Sequence, residues 1–123
     1  RRTSDIVKKI LIEKLKNIAK IWIGYGKNPY IESIQKSSYF IVTSDSTSMI
    51  SEAAISGKPI YVHHLTFKRK SKRIENFHRE FSDLGITKDL INFNHLSDWT
   101  YNSLNESERI AIIIKKRIIK ENI

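Results

Sequence analysis

Residues 39–62 read YFIVTSDSTSMISEAAISGKPIYV, and this stretch decides the fold. It predicts a strand at residues 39–43, a polar turn, a helix at residues 48–56 and a second strand at residues 60–63. The first strand is a continuous β-branched and aromatic run, which is typical of a strand that helices bury on both faces. Gly57 is placed to adopt the left-handed conformation that ends a helix. The stretch therefore predicts a βαβ unit with parallel strands.

A polar turn joins the first strand to the helix, and five hydroxyl side chains surround its Asp45. Open α/β sheets bind ligands at this carboxyl edge of their strands. The first N–H groups of the helix have no partner within the helix and carry the positive end of its dipole, so a phosphate would be stabilised there. Simple helix capping by one hydroxyl is the alternative. The predicted phosphate site, in which Asp45 fixes the turn, comprises Ser44, Asp45, Ser46, Thr47 and Ser48.

The rest of the chain continues the alternation of helices and strands. A first helix at residues 5–20 carries an apolar stripe at helical spacing, which predicts core positions at Val7, Ile10, Leu11, Ile18 and Ala19. A short strand is predicted at residues 21–23, and further helices at residues 30–36, 71–84 and 105–121. Residues 86–103 are predicted to be mostly irregular, with an extended piece at residues 90–93. The pattern indicates an α/β fold, a Rossmann-like parallel sheet flanked by helices.

The chain has 123 residues, which fits a single domain over residues 1–123. It begins with Arg1 and runs almost at once into a helix, so we expect a fragment whose N-terminal domain is absent. No apolar run approaches the roughly 18 residues needed to span a bilayer. Cysteine is absent, which fits a reducing compartment and excludes a thiolate metal site. We expect a cytoplasmic protein.

The net charge of +9 raises the question of a nucleic-acid partner. The cations are spread over all the predicted helices, and no ribonucleoprotein strand or GXXG loop accompanies them, so we expect no nucleic acid. One cluster stands out, because residues 68–73 hold five cations in six positions. It could attract a diphosphate, an anionic membrane surface or RNA, or form a solvated loop. The expected anion contacts in it are Lys68, Arg69 and Arg73.

Residues 45–54, followed by residues 57–62, resemble the core of the mitochondrial fission "elongated mitochondria" (ELM) family. The resemblance covers nearly the whole chain, in the family's order, at residues 1–3, 28–30, 77–78, 99–101 and 104–106. It implies a domain like the C-terminal, nucleotide-sugar-binding half of a GT-B glycosyltransferase. Bacterial members often carry the name of a nucleoside-diphosphate-sugar epimerase.

The resemblance also implies roles for individual residues. Glu52 would accept hydrogen bonds from the ribose hydroxyls, a role that suits a carboxylate facing a diol; an ordinary surface glutamate is the alternative. Asn28 would face the base or the cleft, or else belong to a turn with Pro29 at the first helical position. The ligand would be a nucleotide-diphosphate sugar with no tightly bound cofactor and no metal, and catalytic residues stay unassigned because the acceptor and the general base would belong to the absent domain.

Two other functions remain open. Plant members of the family are tied to recruiting a fission dynamin to the mitochondrial surface, so the chain could be a non-catalytic adaptor whose basic cluster contacts an anionic membrane. The epimerase name is weakened because the chain has no Tyr-x-x-x-Lys pair, and its Gly24-Tyr25-Gly26 lacks the third glycine of a dinucleotide fingerprint. The spacing of the four histidines fits no zinc site.

Overall fold

The computed structural model of the chain describes residues 3–92, 95–103 and 115. The chain divides into two compact units, residues 1–36 and residues 37–123, which are treated separately below. The single domain stays a prediction. The helix predicted at residues 105–121 lies outside the described residues, apart from Lys115.

The first unit contains two helices, α1 at Asp5–Leu15 and α2 at Tyr30–Lys36. Ser4 caps α1, because its side chain accepts a hydrogen bond from the Val7 amide. The helix ends five residues before the predicted end at Lys20, since the Ile18 and Ala19 amides both turn back to the Leu15 carbonyl. The predicted core stripe is wrong for α1, in which no residue is buried.

The strand predicted at residues 21–23 is also wrong, because the run pairs with no strand in the part of the chain that the structure describes. A β-branched run has the right local preference, but a strand exists only where a neighbour supplies hydrogen bonds. Helix α2 has the predicted bounds.

The second unit is a three-stranded parallel sheet with helices between its strands. Its elements in chain order are β1 at Phe40–Thr43, α3 at Thr47–Ile55, β2 at Ile60–His63, α4 at Lys72–Asp83, β3 at Thr87–Asp89 and a 3-10 helix at Leu90–Asn92. The spatial order of the strands is β1-β2-β3. Phe40 lies opposite Ile60, and Ile60 lies opposite Thr87 on its other side. The expected α/β class with a parallel sheet is confirmed.

The core lies between β2 and its two neighbouring helices. It comprises Ile50, Ala53, Ala54, Ile60, Val62, Phe81 and Ile86. Strand β2 is central, and its first three residues are buried. Strand β1 is an edge strand whose residues alternate between half-buried and exposed, with Ile41 59% exposed. Burial of β1 on both faces was therefore a wrong prediction, and β2 has that property instead.

Two glycines end the helices of this unit as predicted. Gly57 follows α3 and Gly85 follows α4, each with a φ of +73°. Only glycine adopts that conformation without steric cost, so the chain can leave each helix and enter the next strand. The extended piece predicted at residues 90–93 was wrong: β3 lies at Thr87–Asp89, and the 3-10 helix follows it.

Residues 95–103, called here the C-terminal segment, pack on the strands. The Tyr39 hydroxyl donates a hydrogen bond to the Asp98 carboxylate, and the Ser97 amide donates to the Tyr61 hydroxyl. Trp99 packs edge-on against Tyr61 with ring centroids 5.2 Å apart. The segment is therefore ordered by contacts with β2 and with the residue before β1. Among the described residues, no helix has the length and apolar character that crossing a membrane requires.

Candidate functional site

Ser44 directly follows β1 and connects the elements at the carboxyl edge of the sheet. It is 1% exposed, its amide donates to the His63 carbonyl, and its hydroxyl accepts from the Leu65 amide at 2.9 Å. Its carbonyl accepts from Nε2 of His78 at 2.8 Å. Each polar group of Ser44 thus bonds to the strand end, to the segment after β2 or to α4. Its contact with phosphate stays a prediction.

The N-terminus of α3 differs from those of α1 and α4. Ser46 is at the N-cap position, but its side chain accepts no hydrogen bond from the helix. Ser4 and Ser71, in the same position on α1 and α4, each accept one from the amide three residues later. Helix capping, the alternative function of the hydroxyl cluster, is therefore not what Ser46 does. The turn around the half-buried Asp45 is closed by the Ser46 amide, which donates to the Thr43 carbonyl at 3.0 Å.

A pocket of about 700 Å³ opens between the first turns of α3 and α4, and we call it the α3–α4 pocket. Helix α3 contributes Thr47, Ser48 and Glu52 to its lining, and α4 contributes Arg73. Four of the residues predicted from the sequence therefore meet around one space. The space offers two hydroxyls at a helix start, a carboxylate acceptor and a guanidinium donor, the groups that a phosphate and a ribose need.

A second pocket, of about 470 Å³, lies on the other side of the α4 N-terminus, and we call it the His64 pocket. Ser44, His64, Arg69, Lys70 and His78 are among its lining residues. The two pockets share a wall made of Ser71 and Ile74. Arg69 is thus separated from Glu52 by that wall.

Four of the predicted site residues line neither of these pockets: Asp45, Ser46, Lys68 and Asn28. Lys68 is exposed and lines neither. Asn28 lies in the first unit, where its Oδ1 accepts a hydrogen bond from the Tyr30 amide at 3.0 Å. Asn28 therefore closes the turn before α2, which begins at Tyr30, so Pro29 precedes the helix and does not occupy its first position.

The histidines after β2 are the residues that sequence reasoning missed. Nε2 of His64 lies 2.8 Å from Oδ1 of Asp89, and the His64 and His78 rings meet edge-on with centroids 5.2 Å apart. Their signal was position, because His64 directly follows a parallel strand, at the edge of the sheet where ligands bind. His63, the last residue of β2, is exposed. No cluster of three or more potential metal ligands occurs within residues 3–92, 95–103 and 115.

Three tyrosines of the second unit have shifted pKa values. The hydrogen bond from the Ser97 side chain lowers the pKa of Tyr61, whereas the hydrogen bond to Asp98 raises the pKa of Tyr39. Burial raises the pKa of Tyr101 to about 12, and its hydroxyl donates to the Lys58 carbonyl at 2.5 Å. All three belong to the packing of the C-terminal segment, and none lines either pocket.

The sequence of this chain matches one known protein family over most of its length. The family model described as mitochondrial fission ELM1 matches residues 1–118. The chain belongs to the mitochondrial fission ELM1 family. An ELM1 relative, the mitochondrial fission protein ELM1 of Arabidopsis thaliana, is 31% identical over 123 residues, which is 95% of this chain and 28% of the plant protein. The uncharacterized protein RP120 of Rickettsia prowazekii (strain Madrid E) is 34% identical over 125 residues, 94% of this chain and 34% of that protein.

The ELM1-family chain therefore spans about a third or less of the curated relatives it matches. No solved structure matches it significantly. The resemblance read from residues 45–62 is confirmed at the level of the family.

Proposed function

We propose that this chain binds a nucleotide-diphosphate sugar, as the donor-binding part of a GT-B-like glycosyltransferase. The observation that carries the proposal is the α3–α4 pocket, where Thr47, Ser48, Glu52 and Arg73 meet around about 700 Å³. The family resemblance suggests the same ligand. Thr47, Ser48 and Glu52 lie in residues 45–54, where that resemblance was first noted.

The diphosphate would lie at the start of α3. Ser46 itself does not cap the helix, and the first backbone N–H groups of a helix have no partner within it, so they can donate to an anion. The hydroxyls of Thr47 and Ser48 add donors, and the Arg73 guanidinium approaches from α4. A guanidinium forms paired hydrogen bonds with phosphate oxygens, which gives orientation as well as charge.

The ribose would lie against Glu52. This side chain is exposed on the second turn of α3 and lines the same pocket as the phosphate-binding groups. An ionised carboxylate only accepts hydrogen bonds, and a ribose diol offers two donors. The order diphosphate, then ribose, follows the direction of α3 from Thr47 to Glu52.

In a transfer reaction, the bond between the anomeric carbon and the β-phosphate oxygen breaks, and its electron pair passes to the diphosphate. The helix start and Arg73 would stabilise the negative charge that develops on this leaving group. The hydroxyl nucleophile and the group that accepts its proton would come from outside this chain. Binding of the donor is therefore the activity that we assign to the chain itself.

Calorimetric titration with nucleotide diphosphates, nucleotide sugars, NAD and inorganic diphosphate tests the proposal. We expect one nucleotide diphosphate to bind, and Arg73→Ala to weaken its binding about tenfold, as loss of a charge-assisted hydrogen bond does. Lys72→Ala is the matched control, because Lys72 carries the same charge next to Arg73 but lines neither pocket.

The other outcomes separate the alternatives. Binding of NAD in place of a nucleotide diphosphate would favour the epimerase. Absence of binding across the whole panel would overturn the proposal and leave the non-catalytic adaptor.

A further inference from the structure

The basic cluster at residues 68–73 is divided by the fold between the two pockets. Arg73 faces the α3–α4 pocket, whereas Arg69 and Lys70 line the His64 pocket on the other side of the Ser71 and Ile74 wall. A diphosphate at the start of α3 is matched by that helix start and by Arg73. The positive charges of Arg69 and Lys70 are therefore not needed to bind the diphosphate.

The lining of the His64 pocket has a positive charge balance. Among the described residues that line it, Glu75 is the one acidic residue, against the two cations Arg69 and Lys70, and both cations are exposed. His64 and Ser71 add polar groups to the same wall, and Phe67 adds an aromatic ring that is 41% exposed. This combination suits a polar ring that carries a negative charge, since the aromatic face covers its C–H groups and the cations pair with its anion.

The His64 pocket lies next to the proposed donor site. The two pockets share the lining residues Ser71 and Ile74, so they are adjacent at the start of α4. A volume of about 470 Å³ is in the range of small-molecule pockets.

We propose, resting on the proposed function, that the His64 pocket receives the glycosyl group of the donor and selects one that carries a carboxylate, a uronate. Arg69 forms paired hydrogen bonds with the carboxylate, and Lys70 adds a second positive charge. A neutral hexose offers these cations only hydroxyl oxygens without a negative charge, so it binds more weakly.

The test compares two ligands that differ only at the sugar C6. The affinities of UDP-glucose and UDP-glucuronate, with UDP as the reference, are measured by calorimetry; GDP-mannose and GDP-mannuronate replace them if the guanine nucleotide binds more tightly. We expect the uronate to bind about tenfold more tightly than the hexose, the gain that one charge-assisted pair supplies. In Arg69→Ala with Lys70→Ala, the ratio of the two affinities should fall to about one.

Lys72→Ala is the control and should keep the ratio, because Lys72 lies in the same cluster but lines neither pocket. Equal affinity for the uronate and the hexose, with UDP or GDP binding retained, would overturn this inference and leave the donor site intact. A preference that survives loss of both cations would also overturn it. Absence of binding by UDP, GDP and all four nucleotide sugars, together with the rest of the nucleotide panel, would overturn the proposed function itself.

Discussion

At the residue scale, two serines two positions apart have different structural roles. Ser44 is buried and accepts a hydrogen bond from the Leu65 amide, while Ser46 begins α3 without capping it. Composition alone treats both as members of one hydroxyl cluster. Their environments differ because Ser44 directly follows β1, where its amide still donates to the His63 carbonyl of β2.

We predict that Ser44→Ala destabilises the fold and that Ser46→Ala does not. Removal of the Ser44 hydroxyl leaves the Leu65 amide without its acceptor, which costs about 1–2 kcal/mol of unfolding free energy. Ser46→Ala should change that free energy by less than about 0.5 kcal/mol, since no cap hydrogen bond is lost. Urea unfolding measures both, and Ser71→Ala, which removes a real cap, should cost about 1 kcal/mol. Equal effects of Ser44→Ala and Ser46→Ala would refute the assignment.

We predict that Glu52→Gln weakens nucleotide binding through the ribose. The amide keeps the volume of the side chain but loses the charge, so affinity should fall about tenfold while the melting temperature stays the same. With a 2′,3′-dideoxy nucleotide diphosphate, the variant and the parent should bind equally. Glu80→Gln, an exposed change on α4 outside both pockets, is the control. A loss of the same size with the dideoxy ligand would mean that Glu52 does not contact the ribose hydroxyls.

We predict that Tyr101 makes folding sensitive to alkaline pH. Its pKa in the folded chain is about 12, against 10.0 for an ordinary tyrosine, so the unfolded state loses this proton first. The contribution of neutral Tyr101 to stability is therefore complete below pH 10 and is lost as the pH rises through 12. The difference in unfolding free energy between the parent and Tyr101→Phe should shrink over that interval. A difference independent of pH would contradict burial of this hydroxyl.

At the element scale, the sequence predicted the elements whose local and tertiary signals agree. Strand β2 has the predicted bounds, α3 begins and ends one residue early, and both glycine stops are confirmed. Strand β3 was not predicted, because Lys88 and Asp89 are residue types with low strand propensity. It forms a strand because it pairs with the edge of β2 that β1 does not occupy. Residues 21–23 show the converse, since strong propensity without a described partner strand forms no strand.

We predict that the C-terminal segment stabilises the sheet through Trp99. The indole packs edge-on against Tyr61, and Nζ of Lys88 lies 4.4 Å from the centroid of its ring. Trp99→Ala should therefore lower the unfolding free energy by about 2 kcal/mol, through lost packing and the lost cation–π contact. Trp22→Ala is the control, because Trp22 is 42% exposed in the first unit. If the two substitutions have the same effect, the segment is not a stabilising element.

At the scale of the whole molecule, sequence order already indicated most of the candidate site. The polar turn was expected at the carboxyl edge of the sheet, the family resemblance implied Glu52, and the structure brings Thr47, Ser48, Glu52 and Arg73 to one pocket. The wall that separates Arg73 from Arg69 could not be predicted, because it depends on how α4 packs beside α3. His64 and Asp89 meet only because β3 pairs next to β2.

The chain has a net charge of +9. A strongly positive surface attracts anionic ligands, and salt weakens this attraction because it screens the charges. Since the chain spans about a third or less of its relatives, acceptor recognition and catalysis stay proposals.

The most direct test of the donor site is a nuclear magnetic resonance titration of the isotope-labelled chain with the nucleotide diphosphate that binds most tightly. We predict that the largest shifts occur at the backbone amides of Thr47, Ser48 and Met49 and at the side-chain Nε of Arg73, because the diphosphate accepts hydrogen bonds there. Shifts confined to residues 1–36, or to the exposed cations Lys68 and Lys72, would contradict a donor site at the start of α3.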